Sequence, residues 1–263
     1  MYATNYFENA MLNLMRGNSI TAPANVYLAL FLSNPGDSGT EGTEITYSGY
    51  ERRAFTFSDP TSSGGGLVME NTALISFPEA NTSAGTVTYV AVYDSLTGGN
   101  MWLYGQLDTA LTVQTGVSPV FRAGSVKWIW SGNLSSYYRE AIMKTLKGGG
   151  QGINCSGFSP YVGFCNGDPT GTGNEFSGNN YARVAVTMTQ PSQQSSGTAL
   201  SENTADVLTG IATGYWGTLN TVAIFDAQTS GHAYAVIPLG SSYNVTSGYA
   251  VGFHAGALQF NVN

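Results

Sequence analysis

The side chains able to do chemistry are few: two histidines, two cysteines, 16 acids and nine bases in 263 residues. His232 lies in TSGHAY, a turn signal, and His254 in a strand-like run whose counterpart earlier in the chain carries Arg122. A slot that takes either His or Arg reads as an outward polar position, so neither histidine is assigned to metal ligation or general-base work. Asp94 and Asp226 end matching runs, VYDSLTGG and IFDAQTSG. They read as turn openers whose carboxylates cap backbone N–H groups two residues on, with a Ca²⁺ or sugar contact as the alternative. Asp37, Glu41 and Glu44 gather in GDSGTEGTE, too few for a six-ligand oxygen site, and the corresponding GTGNE is shorter, so this reads as a solvated loop. G-x-S-x-G, H-E-x-x-H, C-x-x-C and P-loop spacings do not occur. A glycosidase would need two carboxylates across a groove, and no acid-rich cluster is seen twice. The reading is a non-enzyme without a cofactor. Cys165 sits in a strand-like run and reads as a small buried apolar residue. A Cys155–Cys165 disulfide is the alternative, disfavoured by cytosolic assembly.

Arg52 and Arg183 open a different question, because the same phrase surrounds both. SGYERRAFTFSDP near residue 50 lies over NNYARVAVTMTQP near residue 180 without a gap. ENTA at 70–73 recurs at 202–205, GTVTYVAVYD at 85–94 meets GTLNTVAIFD at 217–226, and FRAGSVKW at 121–128 meets FHAGALQF at 253–260. A fixed long period marks a duplicated module. The two arginines read as solvent-facing or paired with a neighbouring acid; their planar donor forks also suit a subunit interface.

The elements that hold these residues follow from pattern. Hydrophobic residues are 42% and charged ones 10%, with 34 glycines and 16 tyrosines, a turn-dense β profile. Short aromatic and β-branched runs such as VYLALFLS, TVTYVAVYD and SVKWIW alternate with Gly, Pro, Asn and Ser clusters, as in antiparallel sandwiches. Trp128 and Trp130 share one strand face and read as core. Tyr6, Phe7, Ala10, Met11, Leu14 and Met15 recur at helical spacing. The expected fold is therefore all-β: two tandem antiparallel β-sandwich modules, jelly-roll-like or Ig-like, each preceded by a short amphipathic helix. Their bounds are 1–131 with a helix at 5–16, and 132–263 with a helix at 135–147, each module having its own core. The helices are too short to stand alone and must pack on a sandwich, their own or a neighbour's, which makes Tyr6, Phe7, Met11, Leu14 and Met15 interface candidates beside Arg52 and Arg183. The net charge of −7 excludes a nucleic-acid footprint, no apolar run is long enough to span a membrane, and no secretion leader is read at the N-terminus.

The run VYLALFLSNPGDSGTE, SGYERRAFTF, NTALISFPEA, GTVTYVAVYDSLTGGNMWLYGQL and FRAGSVKW resembles a domain of tailed-bacteriophage virion proteins, the tail fibre, minor tail, head-fibre and decoration proteins. The second copy is looser: it lacks the F-P-x-A turn and replaces A-L-F by G-F-C. The resemblance implies a non-enzymatic structural component of the virion, assembled in the host cytoplasm with other virion proteins. A tail fibre, baseplate or minor tail position mediating assembly or host attachment is expected. A capsid decoration or head fibre, and a module binding bacterial surface glycan, are the alternatives. It also implies a homo-oligomer, a trimer or larger ring in which two modules per chain give six near-equivalent positions.

Overall fold

A hydroxyl residue starts each helix. Thr4 accepts from the Phe7 N–H at 3.4 Å and opens α1 (Asn5–Leu14). Ser135 accepts from the Tyr138 N–H at 3.2 Å and opens α2 (Ser136–Lys144). The computed structural model describes residues 1–132, 134–170, 173–194 and 197–262, and both helices are shorter than expected. Their ends tighten into three-residue turns: Met15, Arg16 and Gly17 donate to carbonyls three back, as do Thr145 and Leu146. Gly17 at φ +88° and Gly148 at φ +78° then carry the chain away in the left-handed conformation that glycine adopts without penalty.

In the first module β1 (Tyr2–Ala3) precedes α1, and β2 (Val26–Phe31), β3 (Arg53–Phe55), β4 (Thr61–Ser63) and β5 (Gly66–Glu70) follow it. Then come β6 (Ile75–Ser76), β7 (Gly85–Tyr93), β8 (Met101–Val113), β9 (Val120–Phe121) and β10 (Lys127–Trp130). The second module places β11 (Tyr161–Asn166), β12 (Asn174–Glu175), β13 (Val184–Ala185), β14 (Ser192–Gln193) and β15 (Ala199–Glu202) after α2. It closes with β16 (Val207–Leu208), β17 (Gly217–Phe225), β18 (Ala233–Val245), β19 (Gly252–Phe253) and β20 (Gln259–Val262). All pairing is antiparallel. The first module has a large sheet β1-β8-β7-β2-β3 and a small sheet β10-β5-β4; the second has β12-β11-β17-β18, with β13 on β11, and β14-β15-β20.

Register shows that the duplication is structural. Tyr27 pairs with Ala54 and Tyr93, and Tyr161 with Ala185 and Phe225. The long hairpins β7–β8 and β17–β18 slip at the same places, between Val87 and Tyr89 in one and between Leu219 and Thr221 in the other. Such bulges bend a hairpin at a fixed point.

Packing departs from the expectation of two separate cores. One apolar cluster runs through both modules, from Phe7, Met11, Leu28 and Trp128 to Ile142, Phe164, Val222 and Phe260. The cause is where the helices lie. Helix α1 packs on its own β8 and on β15 and β20 of the second module, while α2 packs on its own β18 and on β5 of the first. The segments after the helices pair too: Ile20 and Cys155 exchange N–H···O bonds of 2.8 and 3.0 Å. The junction is thus reciprocal, each module lending a helix to the other's small sheet, the arrangement of a twofold contact. Each fully buried side chain such as Phe7 or Met11 contributes about 1.5–3 kcal/mol there. Trp128 and Trp130, stacked at 5.4 Å, are core residues as expected.

Candidate functional site

The repeated arginines hold a clasp. Arg52 donates from Nε and Nη2 to both oxygens of Glu44, at 3.0 and 2.8 Å, and from Nη1 to the Ser95 and Gly98 carbonyls, at 3.1 and 2.7 Å. Its guanidinium lies 3.5 Å over the Tyr93 ring. Tyr50 donates to Glu44 at 2.9 Å and accepts from the Leu30 N–H. The second module repeats every part: Arg183 on Glu175 at 2.8 and 2.7 Å, on the Ala227 and Ser230 carbonyls at 2.6 Å each, and 3.5 Å over Phe225. Tyr181 donates to Glu175 at 2.8 Å and accepts from the Phe164 N–H. The two arginine side chains are 9% and 7% exposed, so the acid-paired reading describes them. The solvated-loop reading does not hold for Glu44, which is tied to Arg52, and the shorter GTGNE loop ends on the equivalent acid, Glu175. Glu44 and Glu175 stand eight residues before their arginines in both copies. Bidentate, partly buried pairs of this kind are strong and geometrically specific. Burial pushes the Tyr50 and Tyr181 hydroxyls above the ordinary phenol range.

The clasp fixes a loop that Asp94 or Asp226 also ties. Asp94 accepts from the Asn100 N–H at 2.8 Å and from the Trp102 indole at 3.1 Å; Asp226 accepts from the His232 N–H at 2.8 Å. The capped group is therefore six residues on, not two, because the loop closes a hairpin. Gly99 and Gly231, at φ +73° and +68°, leave no room for a Cβ beside these carboxylates. ENTA recurs for a similar reason. Buried Asn71 donates to the Ala73 and Arg122 carbonyls and accepts from Val126, and Asn203 does the same with Ala205, His254 and Leu258. His232 stacks on Tyr137 at 3.9 Å, and His254 is almost fully exposed.

At the junction, Phe7, Met11, Leu14 and Met15 are buried inside the chain, joining module to module, and Tyr6 stays 44% exposed. Two equivalent positions there carry opposite polar groups. Glu8 is fully buried, and the nearby Gln193 amide donates instead to the Asn5 carbonyl at 3.4 Å and to Asn9 Oδ1 at 3.3 Å. Burial, then the charge of Asp37, pushes Glu8 up to about 7. Its counterpart Arg139 donates to the Trp130 carbonyl of the first module at 3.3 Å. Both cysteines are free and buried, their thiols pushed by burial up to about 11 for Cys155 and about 12 for Cys165. Cys165 packs with Ala223 and Phe225 as an apolar residue. Among the described residues no group of three or more His, Cys, Asp or Glu could hold a metal ion, and no helix is long and apolar enough to cross a membrane.

Two clasps, two buried asparagine ties (Asn71 and Asn203) and two exchanged helices on one template describe a building unit used twice. The family model of the podophage GP4 fiber I protein gp80 matches residues 2–129 and again 133–261. The chain belongs to this family. It is a phage fibre protein with two copies of the family's domain, a structural component of the virion, as the resemblance of its strand phrases implied. No curated protein matches the chain.

Proposed function

We infer that this fibre protein works by shape and attachment and not by turnover, in the tail fibre, baseplate or minor-tail part of the particle, where it assembles with other virion proteins and further copies of itself. The clasp carries this reading. The Glu, Tyr and Arg that recur in both modules have their polar groups engaged inside the chain, holding loops to strands. A nucleophile or general base needs a free, oriented partner, and the repeated acids are committed to guanidinium groups. Gold-labelled antibody against the chain, applied to purified particles, is expected to decorate the tail or its fibres. Particles that lack the chain, or label confined to the capsid, overturn the placement. In parallel, the purified chain is expected to leave peptidoglycan, polysaccharide and phosphoesters intact. Turnover abolished by substituting one acid overturns the non-catalytic reading.

A further inference from the structure

Duplication supplies an internal control, because each position of the second module can be compared with its equivalent in the first. At the end where β17 and β18 begin and close their long hairpin the two differ sharply. Shared hydrogen bonds fix the equivalences. Ala84 and Trp216 donate to the Val113 and Val245 carbonyls, and Ala80 and Ala212 to those of Val117 and Tyr249. Leu111 pairs with Val87 as Tyr243 pairs with Leu219. On that frame Ser83, Leu111 and Val117 of the first module become Tyr215, Tyr243 and Tyr249, which are 58%, 58% and 62% exposed. The same end loses two acids: Glu79 becomes Ile211 and Asp108 becomes Gly240.

Tyr243 and Tyr249 flank a groove of about 770 Å³, with Leu219, Val251 and Phe253 among its apolar lining and Gly240, Ser241, Ser242 and Asn244 along it. No charged side chain lines it. Among the described residues the hydroxyls of Ser241, Ser242, Tyr243 and Tyr249 make no hydrogen bond. Tyr215 reaches the rim through Thr218, whose hydroxyl donates to Asn244 Oδ1 at 2.8 Å. Aromatic rings gathered on one exposed face and rimmed by polar groups mark an interaction site.

We propose that this groove binds neutral glycan, the sugar faces stacking on Tyr243 and Tyr249 and the ring hydroxyls meeting Ser241, Ser242 and Asn244. The proposal deepens the attachment reading above and rests on it. Charge favours a neutral polymer: the lining is uncharged, Gly240 stands in it where the first module has Asp108, and a chain of net charge −7 repels polyanions. Size favours a small ligand. The groove's volume of about 770 Å³ lies in the range of small-ligand pockets, roughly 300–1,000 Å³.

The test is affinity electrophoresis of the whole chain through gels containing dextran, mannan or galactan, with polygalacturonate as the acidic comparator. The variant Tyr243→Leu with Tyr249→Val restores the first module's residues and keeps the hairpin intact. The expected result is retardation by at least one neutral polymer, weakened about tenfold or more in the double variant, and none by polygalacturonate. No retardation by any neutral polymer, equal retardation of the double variant, or retardation by the polyanion overturns the proposal. So does loss of the double variant from particles, which assigns the groove to a virion protein. Absence of the native chain from particles speaks instead against the fibre placement.

Discussion

Arg183 shows what a residue does in this molecule. Its guanidinium bonds a carboxylate and two carbonyls and covers a phenylalanine, so Arg183→Lys keeps the charge and loses the fork. A cost of about 2–3 kcal/mol is expected, read as a lower urea midpoint at unchanged slope. Glu175→Ala is expected to cost more, about 3–5 kcal/mol, because it leaves a buried guanidinium unpaired. An unchanged midpoint in either variant refutes the clasp as a stabilising element. Glu8 gives the pH dependence. Its carboxyl is raised from 4.5 to about 7, so the fold favours its neutral form. The stability it contributes is complete below pH about 4.5 and is lost as pH rises through about 7, on the order of 3 kcal/mol. The groups around it include Asp37, Gln193, the Ala199 backbone and the Tyr104 hydroxyl. Glu8→Gln is expected to flatten thermal stability between pH about 4.5 and 7, the window set by those two values, and to raise it above that window. An unaltered pH slope in that variant rules the assignment out. The clasp was legible in the spacing: Glu44, Tyr50 and Arg52 stand six and two apart, as do Glu175, Tyr181 and Arg183. It was missed because each acid follows a stretch that differs in length between copies. The Glu8 environment was not legible, since its neighbours Asp37 and Gln193 come from distant segments.

At the scale of elements, period and punctuation revealed the strands and both helices. Alternate residues of β2 (Val26, Leu28 and Leu30) enter the main core, while Ala29 and Phe31 pack on the other face, which is period two made physical. Which sheet a helix covers could not be read. The modules share one template, so α1 meets similar surfaces on either small sheet, and only tertiary geometry sends it to β15 and β20. This exchange predicts the behaviour of the halves. Expressed alone, residues 1–132 or 134–263 leave a small sheet without the other module's helix and its apolar face open to water. Each half is expected to lack a cooperative thermal transition, and mixing them at equal concentration is expected to restore one. A half that melts cooperatively alone, at the temperature of the whole chain, shows that the exchanged helices are dispensable.

For the whole molecule, the reciprocal junction alters the argument for a ring. A ring that grows module by module needs a contact that passes from one chain to the next, and the helix exchange closes on itself within one chain. Growth must use other faces. Three chains about an axis perpendicular to the pseudo-twofold place six modules in equivalent settings, and the pair then acts as one rigid unit. The short edge strand β1 supplies a candidate face, where Tyr2 is 62% and Tyr6 44% exposed beside Tyr104 and Trp102. Small exposed edges of this kind are where strands and aromatic rings meet a second copy. Light scattering on the purified chain is expected to give three times the 27.7 kDa chain mass, or a larger multiple of three. Substituting Tyr2→Ser with Tyr6→Ser is expected to shift it to the single-chain mass while the thermal transition persists, since neither ring lies in the buried junction. A single-chain mass for the native protein at micromolar concentration removes the trimer. A trimer that survives the double substitution moves the contact away from β1.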